Sequence, residues 1–597
     1  MLKKSIFAVF LALVLFAAGC VNTKSDVAED SKNDGKKPTI EILGMSSSES
    51  DINILRDQLV KNGFDVKLNV QPDYGSFKSQ QDAGNYDVAL SSWTTVTGNP
   101  DYAVRSVFKS GGDYSTIADD KVDKLIDEAS TQTPEEFTKT YKALEDRLVF
   151  EKAYIAPLYI SYKAQGINKD VLNTDTVRLS KSRALAWETI DFNDEAKRDN
   201  DSLIMQQSIP TLTSLDPIKG NDGSINTINT NMYVRLVNLT DDDNVTADGS
   251  LSRNYTIGEG NSEYYFLLRD DINFAKVTDK KAVDSGERVG ADDVIFSLNR
   301  AKDKDSVPDH RTYTLHEHIK DAEVVTDLKE LDGKTNDGKT IRESLENGLD
   351  QKISSLVDDK NDADNGSGKY QVVKMTTTEP FPQVLNYLAH QSAGIVSKKQ
   401  VESINTYDVA SFDVKKDIPY GDQNTVTEGD KYDNSLYASG PYIMTYKNDY
   451  EAVFQKNPAY MKGTENEAKI SNINVRFIAE ADSALSALRN GEIHFYYGVP
   501  ETKYETVEKD DKLKLQRIES NGVSYLLFNS KGRDVSKSDD LRKAVLYSIN
   551  QDEFIDYYQG NKIKAVSTVS PLVNTGNELK ADSDKVKDFL KKYQENK

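Results

Sequence analysis

The sequence predicts an α/β protein built from more than one domain. Two observations predict it: strand and helix periodicities alternate over residues 38–165 and again beyond residue 200, and 597 residues are too many for a single core. The first block opens with "TIEILGM" (39–45), an apolar strand that starts as soon as a charged stretch ends. Ser50 and Asp51 are placed to cap a helix carrying Ile52, Leu55 and Leu59 at helical spacing, and Gly63 stops it. "FDVKLNV" follows as an alternating strand, and "YDVAL" (86–90) as a buried one that runs into "SSWTTVTGNPDY". Thr133-Pro134-Glu135-Glu136 reads as a capping box with proline at the first helical position; Phe137, Tyr141, Leu144 and Leu148 share one face behind it. The strand "APLYI" (156–160) closes the block.

A second block begins near residue 200 with "SLIMQQSIPTLTSLDP", and "YYFLLRDDINF" (264–274) alternates as a strand. Residues 326–368 are polar, acidic and glycine-containing, which predicts a long surface insertion, and "YQVVKMTT" restores a strand. "GPYIMTY", "AVFQKNPAYM", "INVRFI" and the helix "ADSALSALRNG" come next. The chain finishes with "GVSYLLFN", the helix "LRKAVLYSIN" and the helix "SDKVKDFLKKY". There is no internal repeat and no heptad run.

The first 20 residues have a two-lysine start (Lys3, Lys4), an apolar run from Ile6 to Ala18 and a Gly19-Cys20 junction. That run is too short to span a membrane and reads as a cleaved signal peptide. Residues 21–37 are charged and poor in apolar groups, which predicts a disordered tether. Cys20 is the sole cysteine, so neither a disulfide nor a thiolate metal site is available. A net charge of −22 argues against nucleic acid or anionic lipid as partners and for a well-solvated surface. His316 and His318, with His310 nearby, suggest a metal site, but positions i and i+2 of a helix point apart and no third ligand has suitable spacing, so no metal is expected. Asp292-Asp293 reads as a helix N-terminus favoured by the dipole. No catalytic or nucleotide-binding motif is present, so neither an enzyme nor a cofactor is expected.

Several of these stretches resemble known families. "AAGC" (17–20) resembles a bacterial lipobox, with Ala17 where leucine is commoner. That resemblance implies a lipid on Cys20 and anchoring at the outer face of the bacterial cytoplasmic membrane. "IPTLTSLDP", "YYFLLRDDINF…GERVGADDVIFSLNR", "ASGPYIMTY…VFQKNPAY", "ADSALSALRNGEIHF" and "VSYLLFNS…LRKAVLYSIN" together resemble the extracytoplasmic solute-binding proteins of peptide and nickel ABC importers. "LVKNGFDVKLNV", "YDVALSSW", "VFKSGGDYS", "KVDKLIDEA" and "APLYI" resemble the C-terminal part of the same family, yet here they come first. The chain therefore looks circularly permuted, cut in a helix-to-strand loop, with its former ends joined through about residues 165–203.

The resemblance implies a two-lobed periplasmic-binding-protein-like fold (type II, cluster C) with an extra domain. One lobe would be 38–165 with 512–597, the second 166–235 with 409–511, and the extra domain 236–408. "TIEILGM" should then share a sheet with the strand at 523–529. The implied function is capture of a peptide between the lobes and delivery to an ABC permease by a membrane-tethered monomer. A non-peptide solute, a signalling peptide or surface adhesion are the alternatives. Peptide-binding members lay the ligand along the strand that ends in tryptophan, here Ser92, Trp93 and Thr94. They hold the ligand ammonium with an aspartate three residues on, where this chain has Val96. Either Asp101 or Asp222 substitutes, or the amine is not bound in this way, because an unpaired buried ammonium is costly. Asn99, the loop Asn221-Asp222-Gly223 and Tyr313 complete the expected ligand contacts.

Overall fold

A computed structural model describes residues 37–597 apart from 73, 113, 133 and 423–435. The leader, Cys20, residues 21–36 of the expected tether and Thr133 of the expected cap lie outside the described residues. The fold is mixed α/β. Its main sheet has eleven strands: β1 (Thr39–Met45), β2 (Asp65–Gln71), β3 (Val88–Thr94), β4 (Ile155–Asn168), β5 (Ser202–Gln207), β6 (Tyr442–Lys447), β7 (Glu451–Lys456), β8 (Asn472–Phe477), β9 (Phe495–Tyr497), β10 (Leu513–Phe528) and β11 (Lys562–Lys564). Their order is β6-β7-β8-β5-β9-β4-β10-β3-β1-β2, with β11 on β4.

The apolar strand that opens the first block is thus two places from a strand near the end of the chain. β1 runs parallel to β3 (Ile42 opposite Val88), and β3 runs antiparallel to β10 (Leu90 opposite Leu526). Ile40, Ile42 and Leu43 are fully buried in one core with Leu526, Leu546 and Val586. Burying each such side chain contributes roughly 1.5–3 kcal/mol, so neither stretch can leave the other cheaply. Polar links run the same way. Gln58 and Asn550 exchange hydrogen bonds of 2.8 and 3.1 Å, and the buried Glu145 carboxylate accepts from Thr568, Thr575 and Asn577.

A second core gathers Ile167, Trp187, Leu203, Tyr442, Phe454 and Phe495. A third lies under the four-stranded sheet 252–257, 263–268, 319–325 and 372–377 and the helix Ala291–Lys302. Two long strands run out of the first core, one into the second and one into a small cluster beside it. β4 carries Leu158 in the first core and Ile167 in the second; β10 carries Leu526 in the first, while Leu513 joins a small cluster with Ala164 and Leu488. Midway along β10 the register slips: Glu519 faces Tyr162 and Val523 faces Ile160, so Ser520, Asn521 and Gly522 together oppose Ser161. A Cβ on Gly522 would stand 2.7 Å from Thr94 Oγ1, which explains a glycine where two strands are drawn this close.

Two local expectations are corrected. The helix Glu49–Lys61 begins earlier than the Ser50-Asp51 cap implies, after a 3-10 turn at Ser46–Ser48. Asp51 does not cap it; its buried carboxylate accepts from Tyr159 Oη (2.6 Å) and Tyr558 Oη (3.0 Å). Residues 326–368 are more than a surface insertion. Leu331, Ile341, Leu345 and Ile353, sparse in a polar sequence, converge on Tyr265, Leu267 and Val372 and give the sheet a second buried face. Asp292 and Asp293 lie in the first turn of the helix Ala291–Lys302 as expected. Asp293 is also buried, accepts from Lys360 at 2.7 Å, and burial pushes its carboxyl up to about 6.

Candidate functional site

Where the first core, the third core and the small cluster around Ala164 meet, a cavity of ≈ 950 Å³ opens, lined by Leu90 and Tyr159 of the first, Tyr102 of the third and Val499 and Tyr504 of the cluster. Its size is at the upper end of ordinary small-ligand sites. One wall is the end of β3. β1 pairs only with Val88 and Ala89, so beyond them β3 is covered by β10 on one edge, and among the described residues no strand covers the other. Leu90, Ser91, Ser92, Trp93 and Thr94 line the cavity along that stretch. The Trp93 ring stands edge-on to Tyr102 and Tyr114, each at 5.2 Å, and its Nε1 is buried without a partner among the described residues. The opposite wall includes Asn221, Asp222 and Gly223, and Asn221 Nδ2 donates to Tyr102 Oη at 2.8 Å.

Ser92, Trp93, Thr94, Val96, Asn221, Asp222 and Gly223 therefore come together on one cavity, while Asn99, Asp101 and Tyr313 do not line it. Asn99 is buried beneath the wall, its Nδ2 3.5 Å from Gln383 O. Asp101 is fully buried and occupied: Arg105 donates to it at 3.0 and 3.2 Å, and Tyr387 Oη donates to Oδ2. Tyr313 packs against His310, with Lys304 over its ring. Val96 packs against the third core. The Asp222 carboxylate lines the cavity but already accepts from Ser224 N (2.9 Å), Ser224 Oγ (2.6 Å) and Thr213 Oγ1.

The charged groups of the wall divide by how they are satisfied. At one end Asp51 has its two tyrosines, Glu501 has Lys562, and the Lys562 ammonium lies 4.7 Å from the Tyr159 ring centre. Burial, outweighing those hydrogen bonds, raises the Asp51 carboxyl above the usual range. At the other end stand groups that the sequence reading passed over. Lys163, on β4, donates to the carbonyls of Ser180 (2.6 Å) and Arg183 (2.9 Å), and burial pulls its ammonium down to about 8. Arg235 is buried; its Nη atoms donate to Thr230 O, Tyr233 O and Asn238 Oδ1, and its Nε has no partner among the described residues. His390 is buried, with Nε2 unpartnered among the described residues. An arginine inside the apolar run "YVRLV" was the available sequence signal for a buried cation.

Among the described residues no cluster of histidine, cysteine and acidic groups could hold a metal ion. His316 turns to Ser392 (2.8 Å), whereas His318 stacks on Phe381 at 4.2 Å. Nor is any helix long and apolar enough to cross a membrane among the described residues.

Comparison with known proteins gives the family. Residues 248–595 match the family model for bacterial extracellular solute-binding proteins, family 5 Middle. The glutathione-binding protein GsiB of Pectobacterium atrosepticum is 24% identical over 348 residues, 58% of this chain and 51% of that protein, so the chain spans about half the length of that relative. The probable D,D-dipeptide-binding periplasmic protein DdpA of Escherichia coli is 23% identical over 185 residues, 31% of each chain. Among solved structures, the periplasmic binding protein DppA of Helicobacter pylori in complex with a peptide is similar at 20% identity with a TM-score of 0.44, covering 67% of both chains. NikZ of Campylobacter jejuni in complex with Ni(L-His) is similar at 18% identity and a TM-score of 0.44, covering 66% of this chain and 63% of its own. The family is one of binding proteins, not of catalysts, and the match runs over more than half of the sequence: this chain belongs to the bacterial extracellular solute-binding proteins of family 5.

Proposed function

We propose that the protein captures peptides in the central cavity and hands them to an ABC permease while tethered to the membrane through lipidated Cys20. The observation that carries the reading is the uncovered edge of β3 from Leu90 to Thr94, facing a cavity of ≈ 950 Å³. An extended peptide laid there would add one strand to the sheet, taking affinity from main-chain hydrogen bonds and selectivity from the pockets around Trp93. The lobes are 38–165 with 512–597 and 166–235 with 409–511, and 236–408 is the extra domain. β4 and β10 are the hinge, flexing at the bulge Ser520–Gly522. A ligand that touches both sides favours the closed arrangement; shifting such an equilibrium from mostly open to mostly closed takes about 5.5 kcal/mol of differential binding. The permease reads the closed shape, and no chemistry is required.

The chain is a circular permutant of its family. Supporting this, the segments that resemble the family's C-terminal part come first in sequence and complete a sheet with the last segments. A non-peptide solute is the second reading, favoured by one feature: Val96 leaves no carboxylate where peptide binders hold the ammonium, and Asp101 is sealed away. Native mass spectrometry of protein purified from cells tests the proposal. Co-purified peptides are the expected result; a ligand-free spectrum together with no binding to peptide pools overturns it.

A further inference from the structure

We infer that the cavity recognises its ligand through a carboxylate, held by Arg235 and His390, rather than through an amine. The inference rests on the peptide-binding reading above and specifies which end of the ligand anchors it.

Every carboxylate on the cavity wall that could take an ammonium is already supplied with donors from its own side, as Asp51, Asp222 and Glu501 are. Among the cations of the wall, Arg183 is paired with Asp241 and Lys163 donates to two carbonyls, whereas Arg235 keeps an N–H to spare. Arg235 has no carboxylate in hydrogen-bond or ion-pair contact among the described residues, and its contacts are two carbonyls and one side-chain amide. A buried guanidinium without a counter-charge is expensive, and a ligand that brings one recovers that cost.

The second donor follows from the hydrogen-bond network. His390 caps a short 3-10 turn, accepting Ser392 N–H at its Nδ1 (3.2 Å). Ser392 Oγ lies 2.8 Å from the same nitrogen and 2.8 Å from His316 Nε2. An Nδ1 that accepts a backbone N–H carries no proton, so the proton is on Nε2. That Nε2–H is a buried donor with no partner, on a residue lining the cavity and 5% exposed. Arg235 Nε–H is the other orphan, on a residue 7% exposed that lines the same cavity. Ile395 N donates to Val234 O at 2.8 Å, which sets the segments carrying the two side chains against each other, and burial holds the imidazole neutral. One positive charge and two unpartnered N–H donors match the single charge and two oxygens of a carboxylate. A phosphate brings more charge and more acceptor oxygens than these donors satisfy. An ammonium brings only further donors.

The test uses the full chain and random tetrapeptide pools in four forms: free, N-acetylated, C-amidated and blocked at both ends, compared by competition in native mass spectrometry. The expected result is at least tenfold preference for pools with a free carboxylate and less than threefold effect of acetylation. Arg235→Met should abolish the preference; because Arg235 also holds two backbone carbonyls and the variant can fail to fold, His390→Asn is the second variant. Asparagine keeps an acceptor for Ser392 N–H while removing the Nε2 donor, and should cut the acid-over-amide ratio to below threefold. Equal binding of acid and amide pools overturns the inference and leaves peptide binding standing. A preference that persists in both variants also overturns it, since the carboxylate then sits elsewhere. Failure of every pool to bind overturns the peptide reading and this inference with it.

Discussion

The cavity is bounded on one side by the two long strands and on the other by a seam, and the two are built differently. On the strand side β4 and β10 share a main-chain ladder from Leu513 to Leu527, interrupted at Ser520–Gly522 and shifted once more between Ser524 and Tyr525. On the seam side residues 93–105 meet residues 381–390 through side chains: Asn386 Nδ2 donates to Thr97 O at 2.9 Å, Tyr387 Oη donates to Asp101, and the Tyr102 ring lies 6.3 Å from Tyr387 and 6.2 Å from His390. A ladder bends without losing bonds at one bulge. A seam of a few side-chain contacts, each contributing about 0.5–1.5 kcal/mol, can part as a unit. The difference teaches which side opens.

Acid should break the comparison most strongly. His316, His318 and His390 all sit at the seam and are held neutral by burial, at about 3, 4 and 3. Their folded values lie below the ordinary histidine value, so their contribution is complete above about pH 6.5 and is lost as pH falls towards 4, by about 1.4 kcal/mol per pH unit for each histidine. Asp293, raised to about 6, acts in the opposite direction: acidification below 6 favours the folded state and offsets about one histidine. Hydrogen exchange at pH 5 should show residues 313–318 and 381–396 opening before β4 and β10. Simultaneous opening would mean the seam is no weaker than the hinge.

Next in size is Asp101→Asn. It leaves the buried Arg105 with Asp127, 3.5 Å away and half exposed, as its remaining carboxylate, and should destabilise by about 3 kcal/mol in urea denaturation. Tyr387→Phe removes one charge-assisted bond across the seam and should cost about 1.5–3 kcal/mol. Because that bond exists only when the seam is shut, the variant should also weaken peptide binding on the order of tenfold, in line with ~1.4 kcal/mol of lost closure. The smallest effect belongs to Asn386→Ala, ~1 kcal/mol by thermal melting with no change in exchange along the long strands.

Much of this layout was legible in the sequence, because strands and helices are written in local periodicity. "YDVAL", "INVRFI" and "LRKAVLYSIN" fall where they were read, and the Trp93 stretch and the Asn221 loop line one cavity. Asp101 was misjudged because a charge in a loop reads as available, and only the packing of Tyr387 and Arg105 shows that it is taken. The converse holds for Arg235 and His390: the apolar run "YVRLV" signals that Arg235 is buried, but not that it keeps an N–H unpartnered, and His390 carries no signal at all. Nothing local distinguishes a buried donor left without a partner from one that has found one more than a hundred residues away.

The placement of β10 beside β3 also sets a schedule for synthesis. Their paired residues are separated by more than 400 positions, Leu90 opposite Leu526 among them. At 5–20 residues per second a ribosome needs roughly 20–90 s to deliver the partner of β3. Throughout that interval β1, β2 and β3 present an unfinished sheet flank, the kind of surface that recruits other nascent chains unless a holdase shields it. The middle of the polypeptide, whose second and third cores draw mainly on residues 160–500, can meanwhile consolidate alone.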